Sequence, residues 1–342
     1  MDCHGSFHFS DGRMEAIEVN GIVLRHGYSY DPTYGYGLND LLGVLVPEEP
    51  EGFVAFWEAR YERALAIDPQ AELRDTGGTM DSWRVMDLSY RSTDGIEIGG
   101  WALVPIDGEI SRGMIVGHGY GGREAPEVEV SWDETVYFFP CMRGFNRSRI
   151  EGIPEMAEAH VVHGIEDKDS YVIGGCVDDL WTAVTAMLEL FPQVEGRLGY
   201  FGGSFGGGLG ALMLPWDDRI RVGHLSVPTF GQQPLRIQLP SSGSATGVQD
   251  YVQKHPGVAE KTLCFFDAAI AIRHVKVPVH FTCALFDPCV CPPGQFAIYN
   301  GAPERLRALF VQVAGHHEYV AKVEEISHEH ASIKALFAQA LY

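Results

Sequence analysis

A serine framed by glycines closes an apolar run in this chain. Residues 197–210 read RLGYFGGSFGGGLG, and Gly202-Gly203-Ser204-Phe205-Gly206 within them is a G-x-S-x-G. A hydroxyl so placed can act as a nucleophile if the chain turns sharply there from a strand into a helix. Glycines permit the turn and the close approach of neighbouring elements, and the helix N-terminus sets backbone N–H groups beside developing negative charge. A Gly-rich strand–helix turn also cradles dinucleotide phosphates. Gly206-Gly207-Gly208 with Gly210 is a loose version of that loop, so the motif alone leaves both readings open.

A serine hydroxyl is a weak nucleophile at neutral pH and needs a base, with an acid to orient the base. Two later segments offer them. Leu285-Phe286-Asp287-Pro288 places a carboxylate at the end of one apolar run, and Ala314-Gly315-His316-His317-Glu318 places imidazoles at the end of the next. Serine, acid and histidine thus follow in the order that a strand–turn–helix nucleophile uses, each after a predicted strand. Upstream, Gly117-His118-Gly119-Tyr120-Gly121-Gly122 has the composition of an oxyanion loop. Its Tyr120 N–H would join the Phe205 N–H in binding a tetrahedral oxyanion. His118 reads as a structural residue of that loop.

These residues require a scaffold that brings strand ends together. Apolar runs predict strands at 83–90, 96–104, 112–117, 135–140, 197–202, 219–227, 277–285 and 307–313. Helical spacing predicts helices over 51–67, 176–191, 205–214, 261–274, 292–300 and 321–341. Strands alternating with helices imply a mostly parallel sheet with helices on both faces. Residues 1–50 are Gly/Tyr-rich and weakly periodic and read as an irregular arm. Residues 51–342 read as one domain, interrupted at 228–260 by a segment rich in Gly, Ser, Pro and Gln that is too long for a simple connection.

Composition narrows the classes. Among 342 residues, 46% are hydrophobic and 21% charged, the balance of a folded globular chain. Twenty-five Lys+Arg against 46 Asp+Glu give a net charge of −21, which argues against nucleic acid and against anionic membranes as partners. No apolar run is long enough to cross a bilayer. The first residues lack a basic n-region and an apolar h-region, and the seven Cys have no disulfide-framework spacing, so a cytoplasmic protein is expected. Cys283, Cys289, Cys291 and His280 lack the paired spacing of a zinc site, so no metal is expected there. Cys289 and Cys291 flank the Asp287 loop, where they would make the site sensitive to oxidation.

The chain resembles carbohydrate esterase family 7, the acetyl xylan esterases and cephalosporin C deacetylases. The matches run in order from 50 to 320: Phe56-Trp57-Glu58, His118-Gly119-Tyr120, Arg143-Gly144, His163-Gly164-Ile165 with Asp169-Ser170-Tyr171, and Phe191-Pro192-Gln193-Val194. They continue with Gly202-Gly203-Ser204, Phe266-Asp267-Ala268, Asp287 with Pro292-Pro293, Tyr299-Asn300 and His317-Glu318. The resemblance implies an α/β-hydrolase fold, no cofactor, and removal of short acyl groups from small acetylated carbohydrates. It implies Ser204 as nucleophile, Asp287 as its acid and His317, the histidine before Glu318, as the base. It also implies a homo-oligomer, a hexamer built from dimers, with 228–260 between subunits. Phe205 stands where the family has Gln, and with Tyr120 it is expected to crowd the acyl group. Residues 1–50 match the family poorly. Rival readings are a peptidase, thioesterase or polyester hydrolase on the same fold, a nucleotide-binding oxidoreductase, and a non-catalytic binding protein.

Overall fold

The computed structural model describes residues 14–342. A hairpin of β1 (Glu15–Val19) and β2 (Ile22–His26) opens it. Nine further strands build one sheet: β3 (Glu72–Met80), β4 (Trp83–Arg91), β5 (Glu97–Pro105), β6 (Arg112–Gly117), β7 (Thr135–Pro140), β8 (Leu198–Gly203), β9 (Ile220–Ser226), β10 (Val279–Phe286) and β11 (Arg307–Ala314). Their order is β11-β10-β9-β8-β6-β7-β5-β4-β3. The six strands from β11 to β7 pair in parallel, whereas β5, β4 and β3 join antiparallel. From β6 the chain steps outward to β7 in one direction and later to β8 in the other. The crevice at the carboxyl ends of β6 and β8 is therefore a topological switch point, where ligands of open α/β sheets bind. This is the architecture of α/β hydrolases.

Both faces of the sheet are covered, so the central strands read as unbroken apolar runs. Alternate residues separate the two layers. Ile115 and Tyr200 join one core with the buried helices Val172–Leu190 and Phe205–Met213. Met114 and Phe201 join the other, with Ile333, Phe337 and Leu341 of the helix Lys322–Leu341. Gly113 has no room for a side chain, because a Cβ there would lie 2.4 Å from the Met187 sulfur.

Three expectations are corrected. β3 escaped the sequence reading because ELRDTGGTM is a polar, largely exposed edge strand with no apolar alternation. The helix expected over 261–274 is broken at Asp267. That carboxylate caps the short helix Ala268–Ala271 through the Ala269 N–H and also accepts the N–H groups of Gln232 and Gln233. The arm is more regular than expected. It carries the hairpin and a short helix, Leu38–Leu42, and it packs on the body through Asn300, whose side-chain amide donates to the Leu41 and Val44 carbonyls. Within 228–260 lie the helices Gln233–Arg236 and Ala245–Lys254.

Candidate active site

Ser204 sits between the end of β8 and the first residue of the helix Phe205–Met213. Its backbone, at φ 53° and ψ −111°, is in a region that a side-chain-bearing residue rarely adopts. The strain is held by packing on every side. The Ser204 N–H donates to the Ser226 carbonyl, and the Ser204 carbonyl accepts from Gly208 N–H and Thr229 N–H. A Cβ on Gly202 would lie 2.6 Å from the Gly206 backbone, and one on Gly206 would lie 2.9 Å from the Gly117 backbone. Those glycines let the elbow, its helix and the β6 loop touch. The serine is left partly exposed at the switch point.

The imidazole that reaches Ser204 belongs to His316. Its Nε2 lies 3.1 Å from Ser204 Oγ, and its Nδ1 lies 2.9 Å and 3.0 Å from the two Asp287 oxygens. This corrects the assignment of the base to His317. After β11 successive residues point to opposite sides. Gly315 continues the strand by donating to the Phe286 carbonyl, and His316 turns inward over Asp287. His317 turns to the other side, its ring 5.0 Å from Phe286 and 6.0 Å from Tyr28 of the arm. Burial, with His26 nearby, holds the His317 imidazole below its ordinary pKa. Two adjacent histidines give a sequence reader no handle on this choice, because the arm that receives His317 is the segment least like the family.

Asp287 is fully buried and heavily hydrogen-bonded. Cys289 N–H and Val290 N–H donate to Oδ1 at 2.8 Å and 2.9 Å, and the Gln295 amide donates to Oδ2 at 3.0 Å. Gln295, which sequence reasoning missed, is itself fixed, since its Oε1 accepts the Ala284 N–H. The signal in the sequence was an amide side chain at a fully buried position of a mostly apolar helix, Pro292–Gly301. Gly315 is a second omission. A Cβ there would come 2.1 Å from Asp287 Oδ2, so only glycine lets the histidine loop lie on the acid.

The acid loop is also clamped from outside. The arm contributes the Pro32 carbonyl, which accepts the Asp287 N–H at 3.1 Å, and the Tyr30 hydroxyl, which donates to the Pro288 carbonyl at 2.6 Å. Burial pushes the Tyr30 phenol up to about 12, so it remains a donor. From the 228–260 segment, Ser242 N–H donates to the Pro288 carbonyl and the Ser241 hydroxyl to the Cys289 carbonyl.

Tyr120 and Phe205 stack, with ring centroids 4.1 Å apart and planes at 22°. The Phe205 N–H is at the first helical position and has no acceptor within the helix. Among the described residues, neither it nor the Tyr120 N–H donates to an acceptor. Contrary to expectation, the Phe205 ring is no pocket edge. It is fully buried among His118, Phe145, His160 and Phe230. His118 is a strut, as its sequence position suggested: Nδ1–H donates to the Gly119 carbonyl and Nε2 accepts the Met142 N–H. Burial lowers its pKa to about 3, which keeps it neutral in that role. Arg143, beside Met142, pairs with buried Asp179 at 2.7 Å, and Asp179 also accepts the Ser92 hydroxyl. Cys283 and His280 lie inside β10, where His280 bonds His224 and Ser332, so they do not join Cys289 and Cys291 in a cluster.

A family model described as "Acetyl xylan esterase (AXE1)" matches residues 45–332, which is most of the chain. The chain belongs to the acetyl xylan esterase family. It is accordingly a carboxylic ester hydrolase. Solved structures agree on the fold. An acetyl xylan esterase from Paenibacillus sp. R4 superposes with a TM-score of 0.73 at 20% identity, covering 88% of this chain and 100% of that one. Acetyl xylan esterase 1 from Thermoanaerobacterium sp. JW/SL YS485 gives 0.71 at 20% identity, covering 87% and 99%. An acylaminoacyl peptidase from Pyrococcus horikoshii shares the fold more distantly, at 0.58 and 15% identity over 76% of this chain and 42% of that one. Within this esterase family, the glycine-rich turn reads as a nucleophile elbow and not as a dinucleotide loop.

Proposed function

We propose that this esterase removes acetyl and other short acyl groups from small carbohydrate esters through a Ser204–His316–Asp287 relay. The observation that carries the reading is the unbroken contact from Asp287 through His316 to Ser204 Oγ. Ser204 Oγ attacks the acyl carbon while His316 Nε2 takes its proton. Asp287 holds Nδ1–H, fixes the ring, and stabilises the imidazolium that forms. The tetrahedral oxyanion rests on the N–H groups of Tyr120 and Phe205. Collapse expels the alcohol, which leaves with the proton from His316. Water then attacks the acyl-enzyme by the same route and releases the carboxylic acid.

The carbohydrate alcohol is supported by family membership, and the net charge of −21 favours neutral over anionic substrates. No helix of the described residues is long and apolar enough to cross a membrane. The absence of disulfide-framework spacing among the seven Cys of the sequence supports a reducing compartment such as the cytoplasm. The deciding experiment is hydrolysis of p-nitrophenyl acetate and of acetylated xylo-oligosaccharides by the wild type and by Ser204→Ala. Turnover of both by the wild type and of neither by the variant is expected. Turnover of the nitrophenyl ester alone would overturn the carbohydrate reading, and an active, folded Ser204→Ala would overturn the mechanism.

A further inference from the structure

Three metal-ligating side chains converge at the acid end of this site. A carboxylate oxygen of Asp287, the Cys289 sulfur and a ring nitrogen of His316 all lie within 4.8 Å of one another. The His316 nitrogen on that side is Nδ1, since Nε2 faces Ser204. Asp287 and Cys289 are buried, and His316 keeps a partly open side for entry. Tetrahedral Zn²⁺, with bonds of about 2.0–2.3 Å, sets its ligand atoms roughly 3.3–3.8 Å apart. A contraction of about 1 Å, within reach of a side-chain rotation at Cys289, would complete three ligands. Thiolate, imidazole and carboxylate together suit Zn²⁺ or Cd²⁺ and not the oxygen-seeking Mg²⁺ or Ca²⁺.

We propose that Asp287, Cys289 and His316 form a site for a thiophilic divalent cation, and that filling it switches the esterase off. Binding replaces the Nδ1–H···Asp287 hydrogen bond by an Nδ1–metal bond. The imidazole stays neutral only as the other tautomer, with its proton on Nε2. That nitrogen then points a proton at Ser204 Oγ and has no lone pair with which to accept one. The Cys289 thiol gives up its proton to solvent and also leaves its 3.5 Å contact with the Ser242 hydroxyl. The switching half of this inference rests on the proposed relay, whereas the binding half does not.

The test titrates the full-length protein with Cd²⁺ and with Zn²⁺ and follows two signals. One is the ultraviolet charge-transfer absorption of a Cd²⁺–thiolate bond. The other is p-nitrophenyl acetate hydrolysis relative to each protein's own metal-free rate. The band and the inhibition are expected in the wild type and in Cys291→Ser, and both are expected to reverse with a chelator. In Cys289→Ser and Cys289→Ala the half-inhibitory concentration should rise at least about tenfold and the band should vanish. Melting curves of the metal-free variants establish that they are folded, and should one Cys289 variant fail to fold the other carries the comparison. Inhibition and absorption unchanged by loss of the Cys289 thiol would overturn the site, as would the absence of any band in the wild type at millimolar Cd²⁺. A band at Cys289 with an undiminished rate would overturn the switch. A band in a protein with no metal-free esterase activity would overturn the esterase reading and leave the site standing.

Discussion

His316 and His317 differ by one position, and the geometry makes their substitutions sharply unequal. His316→Ala removes the only imidazole among the described residues in contact with both Ser204 Oγ and the Asp287 carboxylate. Loss of a general base at a serine nucleophile lowers kcat by about 10³–10⁴-fold, which corresponds to about 4–5.5 kcal/mol on the barrier. The binding of a small ester depends little on that ring, so the loss should appear in kcat and not in KM. His317→Ala removes ring packing against Phe286 and Tyr28 and a hydrogen bond with the Arg25 backbone, none of which touches Ser204. Its cost should be about 1 kcal/mol in stability, with kcat changed by less than about fivefold. The assay is steady-state hydrolysis of p-nitrophenyl acetate near neutral pH, with urea unfolding of each variant to separate folding from chemistry. The rate at which a fluorophosphonate labels Ser204 gives a second readout of serine activation, and it should fall with His316 alone. A folded His316→Ala that keeps near-normal kcat, beside an inactive His317→Ala, would refute the assignment made from the geometry.

Other substitutions probe the supports. Gly315→Ala, whose Cβ would lie 2.1 Å from Asp287 Oδ2, should lower kcat at least about 100-fold while the protein remains folded, measured by the same assay and by circular dichroism. Arg143→Ala leaves the buried Asp179 carboxylate without its cation and should cost about 3–5 kcal/mol in urea unfolding. Acetate esters should outrun hexanoate esters by at least about tenfold in kcat/KM, because the partly exposed Tyr120 near the elbow is backed by the buried Phe205 ring on which it stacks and cannot easily give way to a longer chain; equal rates would refute this. Stability should fall on acidification from pH 6.5 to 4. Burial keeps His118, His160, His224 and His280 neutral in the native state, with pKa values well below that of a free imidazole, so only the unfolded chain takes up those protons. Asp178, Asp267, Glu129 and Glu329, which burial holds above the usual carboxyl range, act in the opposite direction, but His317 and His330 are also held below a free imidazole and keep the histidines in the majority. The net slope is about 1 kcal/mol per pH unit, and a urea midpoint unchanged between pH 7 and pH 5 would refute it. Finally, we expect a homo-oligomer, a hexamer on the family resemblance, and light scattering that finds a stable monomer at micromolar concentration would refute that.

What the sequence made legible follows from how local each signal is. The elbow is written into fourteen consecutive residues, so its strand, turn and helix could be placed around Ser204 before any coordinates. Parallel strands buried on both faces announce themselves as apolar runs, and Asp287 could be located because it ends one. β3 could not be found, because an exposed edge strand has no apolar face to pattern. The break at Asp267 was hidden because its partners, Gln232 and Gln233, lie more than thirty residues away. Gln295 and Gly315 matter through contacts with the Asp287 loop that no local apolar pattern records.

The histidine assignment has a further lesson about the acid loop. His316 faces Ser204 because His317 has somewhere else to go, a surface made by Phe286 and the arm residue Tyr28. The same arm fixes the backbone of Asp287 through Pro32 and that of Pro288 through Tyr30, while Ser241 and Ser242 hold Pro288 and Cys289 from the other flank. The two segments that look least like the catalytic body in sequence are thus the ones that grip its acid. Rigid placement of a charged partner lowers the reorganisation needed as the imidazolium forms. Shortening the arm to begin at residue 36 would remove both the Pro32 and the Tyr30 bonds while leaving the nine-stranded sheet intact. The expected result is a folded protein whose kcat for p-nitrophenyl acetate falls at least about tenfold, with a smaller change in KM. A truncated protein that remains folded with full kcat would show that the acid loop holds itself and that the arm serves some other purpose.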